Sequence, residues 1–363
     1  MFEYEYSGKL AIINFAIWII LIVLYNSQFF CHNPKKNRGY FILGILVSLF
    51  CTFGFSEADT YHYHGIYDEM LHYHYPIHVE QFYYWLIDFL PSNYYLWRFV
   101  IWTVALVLLI KAFKRLNLDS SAVCFVFPIV LLQQFTVTRG CLGISLFLYS
   151  YSLIAGHSKN RFLSFLIGVF GGVLTVFLHR SMPIFIIIFL ASLIPLNKYT
   201  IIIMALALPI ARTMVMPYVT DILQSDLINS STSDFAALYL EGQKSEVNIK
   251  GMIRMIVDYF PRFMIIFILI KDYFWKGRYI SYPMKILLQY TILLFFVAIL
   301  FLGQETSSFV TSRTIHMMCF PLTCVLSYYL MQEKRHSVIM KVAMLGFLLS
   351  DIYGFTYTIY KNW

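Results

Sequence analysis

Apolar runs of about 15–21 residues recur from end to end of this chain, separated by short polar breaks, and a helix of that length crosses the hydrocarbon core of a bilayer. The runs lack the period-2 alternation of a membrane barrel strand, so they read as helices. Composition agrees: 60% of the 363 residues are hydrophobic and only 13% are charged, with a mean hydropathy of +0.69. That is more apolar surface than one soluble core can bury. The expected fold class is all-α, a polytopic integral membrane protein forming a single transmembrane domain over residues 1–363. About twelve spans are expected, at roughly 10–30, 40–55, 95–111, 120–137, 140–156, 162–178, 182–196, 200–215, 256–270, 283–302, 314–331 and 340–358. The start of the chain carries Glu3 and Glu5 and no basic region, so no cleavable signal is expected and the first span is retained. All six cysteines lie in or beside apolar runs without a Cys-x-x-Cys pair. They read as small hydrophobes, which indicates neither disulfides nor a zinc site.

The net charge is +8, but in a membrane protein basic residues chiefly set orientation, and no nucleic-acid partner is expected. Lys35, Lys36, Arg38, Lys111, Lys114, Arg115, Lys159, Arg161, Lys198, Lys271, Lys276, Arg278, Lys334, Arg335 and Lys341 fall in alternate breaks, which the positive-inside rule places in the cytoplasm. The extracytoplasmic side then receives loops 56–94 and 216–255. It also receives Arg98, Arg139, Arg180, Arg212, Arg254, Arg262 and Arg313, against the topological bias. A guanidinium binds phosphate through two parallel hydrogen bonds and recognises pyrophosphate without a metal. Arg139, Arg180 and Arg313 each sit at the outer mouth of a hairpin and are the leading anion ligands. Arg254, Asp258 and Arg262 would share one helix face as a second clamp, with Pro261 expected to kink or end that turn. The alternative for each arginine is snorkelling to lipid or a local ion pair.

Residues 56–81, SEADTYHYHGIYDEMLHYHYPIHVEQ, hold five of the ten histidines and five of the nineteen acids. Three readings stand for this polar island. It is an interfacial tyrosine belt; or a divalent-metal site, since His62/His64 and His72/His74 would lie on one side of an extended segment; or a catalytic and sugar-binding surface. Glu57 and Asp59, just past the second span, suit a general base dry on one side and open on the other.

The order of these features resembles the EpsG-like proteins. The stretch ADTYHYHGIY resembles their Asp-aromatic signature, and TRGCLGISLFLYSYSLIAGHSKNRFLSFLIGVFGGVLTVFLHRSMPIFI resembles their most typical region, an arginine opening a span and Phe-x-His-x-Ser leading into a later one. Arg313 before a late span also fits. The pattern departs at Arg139-Gly140, where the family often has Arg-Gln. EpsG-like proteins resemble the Wzy polysaccharide polymerases, with an architecture like the GT-C glycosyltransferases.

The resemblance implies a bacterial inner-membrane enzyme with its active site on the extracytoplasmic face. It would join undecaprenyl-pyrophosphate-linked repeat units, donor and acceptor, into a surface polysaccharide, alongside a flippase and a chain-length regulator. Asp59, or Glu57, would be the base, and His179 would orient the sugar or replace the base. Arg139, Arg180 and Arg313, with Arg254 and Arg262, would hold the pyrophosphate, and Tyr61, Tyr63, Tyr67, His62, His64 and His316 would meet the sugars. No cofactor is expected, a divalent metal at the His-rich loop being the alternative. The rivals are a polysaccharide flippase or other transporter and an O-antigen-ligase-type transferase.

Overall fold

The computed structural model describes residues 80–131, 138–156, 160–179, 181–224, 249–301, 308–332 and 338–361, with 44–47, 65, 67, 68 and 70–72. Among them there is no strand. The helices are α1 (Gln81–Phe89), α2 (Tyr94–Arg115), α3 (Ser120–Val130), α4 (Thr138–Ala155), α5 (Arg161–Leu178), α6 (Met182–Ser192), α7 (Lys198–Gln224), α8 (Ile249–Ile270), α9 (Tyr282–Leu300), α10 (Ser308–Gln332) and α11 (Val338–Lys361). Four segments among the described residues are long and apolar enough to cross a membrane: Tyr94–Arg115, Arg161–Leu178, Tyr282–Leu300 and Arg313–Gln332. The apolar stretches Arg139–Ala155, Met182–Ser192 and Val338–Ser350 are shorter. The expected span at 10–30 lies outside the described residues.

Helix edges differ from expectation where local signals were weak. Helix α1 occupies part of a stretch read as loop, because its apolar segment has only nine residues, too few to register as a span. Helix α7 runs on to Gln224, and α8 begins at Ile249 and continues through Pro261 to Ile270. Proline removes one backbone donor, a loss that a helix in lipid tolerates when neighbours satisfy the freed carbonyl. A π-helical turn, Lys271–Trp275, then closes α8.

Asparagine starts several of these helices. Asn93 Oδ1 accepts from Leu96 N–H (3.1 Å) at α2 and Asn160 Oδ1 from Leu163 N–H (3.1 Å) at α5, while Asn197 Oδ1 accepts from Tyr199 and Thr200 N–H (2.9 Å each) at α7. Each satisfies amide donors that the helix itself leaves unpaired. Lys114 and Arg115 close α2 at the negative end of its dipole.

The chain divides into two compact units, Met1–Pro183 with Leu322–Trp363, and Ile184–Pro321. In the first, α4 packs between α2 and α5 over a core that includes Trp97, Trp102, Phe113 and Phe127. Small residues let α4 and α5 approach: a methyl on Gly168 would lie 2.7 Å from Ile154 Cγ1 and 2.8 Å from Ser150 O, and one on Gly171 would collide with Ser150 Oγ. This is the small-residue packing that drives helix association in lipid. Gly168→Ala should therefore cost about 1–3 kcal/mol, seen as a lower thermal midpoint of the purified protein. Gly172→Ala, with nothing within 4 Å, should leave it unchanged. Equal midpoints would mean that the α4–α5 contact gives way freely.

In the second unit Gln289 of α9 clasps the elbow between α6 and α7. Its Oε1 accepts from Leu196 N–H (3.0 Å) and its amide nitrogen donates to Ser192 O and Ile194 O. Gln289 is 2% exposed, so one buried side chain satisfies three backbone groups where the helical ladder breaks.

Candidate active site at one end of a helical hairpin

Three helix ends meet in the first unit: the start of α1, the start of α4 and the end of α5. Tyr83, 0% exposed, donates its hydroxyl toward Leu178 O (3.1 Å) and Arg139 O (3.3 Å). It thereby ties the last residue of α5 to the first turn of α4. Glu80, the extended residue before α1, reaches across to Arg139, with Oε2 to Nη1 at 3.0 Å; both side chains are largely buried, 7% and 13% exposed. A buried pair of this kind costs desolvation, so its value lies in fixing the direction of the guanidinium.

His179 follows α5 in an extended conformation, its N–H still bonded to Thr175 O (3.2 Å). The Ser181 N–H donates to its Nδ1 (3.2 Å), and Ser181 Oγ lies 2.6 Å from the same nitrogen. An Nδ1 that accepts from a backbone amide leaves the proton of the neutral imidazole on Nε2. The ring thus offers a donor at Nε2, which suits orientation of a ligand oxygen better than proton abstraction. A methyl on Gly143 would meet His179 Cβ and Met182 at 3.5 Å, an ordinary packing distance, so α4 lies directly against this turn.

The opposite end of the hairpin is basic. Gly156 lies against the Arg115 backbone, and Arg161 opens α5, so Arg115 and Arg161 are separated from His179 by the 18 residues of α5, about 27 Å at 1.5 Å per residue. Arg139, at the start of α4, therefore lies at the other end of the hairpin from Arg115 and Arg161.

An aromatic wall adjoins the cluster. Tyr67, from the polar island, packs on Tyr94 (centroids 5.6 Å) and Trp97 (5.7 Å), and Trp97 meets Tyr83 at 5.9 Å. Burial pushes the Tyr67 phenol above its usual pKa, and the Asp68 carboxylate adds to the rise. Arg98, 2% exposed, lies over Trp102 (4.1 Å) and Tyr94 (5.3 Å). These stacks set its guanidinium against two aromatic faces.

Glu57, Asp59, Tyr61, His62, Tyr63, His64 and Arg180 lie outside the described residues. Around His72 the chain is helical, with Nδ1 2.7 Å from Asp68 O, whereas the metal reading assumed an extended segment there. Among the described residues no group of three or more His, Cys, Asp or Glu could hold a metal. Arg254 is on α8, and Arg262 on the same helix is 4% exposed. Arg313 lies partly exposed on α10, and His316, one turn on, is buried with its ring edge-on to Phe320 (5.4 Å). These last four belong to the second unit, whereas Arg139 and His179 belong to the first.

Sequence reasoning assigned no role to Glu80 or Tyr83. The signal was an acid at the very end of the polar island, immediately before the aromatic run QFYYW.

The family model described as the EpsG family matches residues 37–362. The chain belongs to the EpsG family. It is accordingly a polysaccharide-polymerase-like membrane protein of a family that is commonly glycosyltransferase-like. No curated protein and no solved structure matches it. Within this EpsG-family chain the matched region takes in Glu80, Tyr83, Arg139, His179, Arg262 and Arg313.

Proposed function

We propose that this protein joins lipid-pyrophosphate-linked oligosaccharide repeat units into a surface polysaccharide at the outer face of the bacterial inner membrane. The observation that carries the reading is the buried Glu80–Arg139 pair, held beside His179 by Tyr83 at the hairpin end remote from Arg115 and Arg161. A guanidinium aimed in advance and partly shielded from water suits a leaving group that gains negative charge.

In the proposed reaction Asp59, or Glu57, takes the proton of an acceptor hydroxyl. The hydroxyl oxygen attacks the anomeric carbon, the carbon–oxygen bond to the pyrophosphate breaks, and the configuration at that carbon inverts. Arg139, Arg180 and Arg313, assisted by Arg254 and Arg262, neutralise the departing undecaprenyl pyrophosphate without a metal. His179 donates from Nε2 to a sugar oxygen. Tyr61, Tyr63, His62 and His64 form the sugar-facing surface, with Tyr67 anchoring it to α2. His316 supports the turn behind Arg313. A flippase supplying the repeat units and a chain-length regulator are the expected partners in the same membrane.

Purified protein supplied only with lipid-linked repeat units should yield a ladder of longer lipid-linked glycans, with or without EDTA. Reporters fused within 56–80 should lie outside the cytoplasm. Single transfer to a different carrier would make the protein a ligase, and movement of repeat units without bond formation would make it a flippase. Loss of the ladder in EDTA would assign the His-rich island to a metal.

A further inference from the structure

The second unit contains a cavity of about 610 Å³ that the proposed transfer chemistry leaves unused. It opens where three backbone breaks meet: the α6–α7 elbow, the turn after the π-helical close of α8, and the start of α9. Among the described residues its lining carries three cations, Lys198, Arg278 and Lys285, and no carboxylate. The nearby acid, Asp272, does not line it and is engaged by Lys276 (2.9 Å) and more distantly by Arg278 (3.8 Å). Lys198 Nζ lies over the Tyr199 ring at 5.1 Å, and among the described residues no carboxylate pairs with it.

The backbone adds to the positive field. Lys198 is the first residue of α7, and the Lys285 N–H donates to Ser281 O (2.8 Å), closing the first turn of α9. Neither helix has an acid in its first turn. Helix N-termini carry about half a positive charge and ordinarily attract Asp or Glu. Here both attract lysine, an arrangement that an anion in the cavity would offset. The walls are stiff: Gln289 clasps the elbow at Leu196, and Gly277 holds a left-handed turn at φ +63°, a conformation that glycine adopts without strain.

The surroundings identify the anion's source. Tyr199, Trp275, Tyr279 and Tyr282 are all exposed around the mouth, the aromatic girdle that marks headgroup depth. Next to them α7 presents Ile203, Leu206 and Ile210 outward, an apolar flank along which acyl chains can lie. At the far end of α9, Ala298 O accepts from Thr311 Oγ1 (3.4 Å), at the start of the helix that carries Arg313. From Lys285 to Ala298 is about 20 Å of helix. The cavity therefore lies at the other membrane face from Arg313, on the side where Lys198, Lys271, Lys276 and Arg278 predict cytoplasm.

We propose that this cavity binds the phosphate headgroup of an anionic phospholipid of the cytoplasmic leaflet, through Lys198, Arg278 and Lys285, with the acyl chains along α7. A basic pocket between helices at this depth is of the kind that holds acidic lipids. The proposal is independent of the polymerase reading.

The test uses full-length protein purified in mild detergent, stripped of lipid, and titrated by native mass spectrometry with short-chain phosphatidylglycerol or phosphatidylcholine of equal chain length. Phosphatidylglycerol should bind at least about tenfold more tightly, equivalent to about 1.4 kcal/mol. Lys198→Gln/Lys285→Gln should reduce it to the phosphatidylcholine level, whereas Lys271→Gln, an exposed cation outside the lining, should not. Equal binding of the two lipids by the unmodified protein overturns the proposal, as does undiminished phosphatidylglycerol binding in the double variant. Complete displacement by about 10 mM inorganic phosphate, a large molar excess over the lipid, would by mass action overturn the lipid assignment in favour of a soluble anion. Should the double variant fail to fold, the lipid comparison and the phosphate competition on the unmodified protein still decide.

Discussion

Arg139→Ala is expected to abolish long polymer, through two separable losses. The first is a contact to the leaving pyrophosphate, whose removal from a transition state costs about 2–4 kcal/mol, or roughly 30- to 1,000-fold in rate. The second is structural: Glu80, its side chain 7% exposed, would keep a buried charge without its guanidinium, which destabilises by about 3–5 kcal/mol. The double variant Glu80→Gln/Arg139→Gln removes both charges and leaves two amides able to hydrogen-bond, so it should recover folded yield and thermal midpoint. It should not recover polymerisation. Lysine at 139 should rescue poorly, since an ammonium cannot form the two-pronged contact. Wild-type chain lengths in the double variant would reduce the ion pair to a fastening between α1 and α4.

Asp59→Asn should lower turnover by about 10²–10⁴-fold, the range typical when a general base is lost, while the protein stays folded. The amide keeps the size and hydrogen bonding of the carboxylate and removes its basicity. Glu57→Gln in parallel decides between the two acids. A His62→Ala/His64→Ala variant separates base from metal: chelator-sensitive activity lost only there would transfer the island to metal chemistry. Full activity in all three variants would leave the island an interfacial belt and direct the search for the base to Glu305, the acid that precedes Arg313 in the sequence GQETSSFVTSR. The Nδ1 of His179 already accepts from Ser181, which makes that ring the weaker substitute.

The long apolar runs made α2, α5 and α9 legible to within a few residues, because lipid leaves the backbone no alternative to a helix. Helix α1 was not legible: nine residues carry too little apolar length, and its place follows from Tyr83 reaching Leu178, 95 residues away in sequence. Arginine placement against the topological bias picked out Arg139, and Phe-x-His-x-Ser picked out His179. Neither pattern could name Glu80, since a lone acid in a loop is indistinguishable in sequence from a solvated one. At Pro261, where a kink or an end was expected, α8 does not end but runs on to Ile270.

The Gln289 clasp also has a consequence in time. The elbow formed by Ser192, Ile194 and Leu196 emerges from the ribosome some 93–97 residues before the side chain that satisfies it. Until α9 is made, those carbonyls and that amide lack the Gln289 side chain that they bond in the finished protein, and hydrocarbon supplies no substitute. Nascent α6 and α7 must meanwhile keep their joint at the wet membrane surface, or shelter it within the insertion machinery. The elbow settles into place only when the later helix arrives, so the order of synthesis is built into the architecture as firmly as any contact.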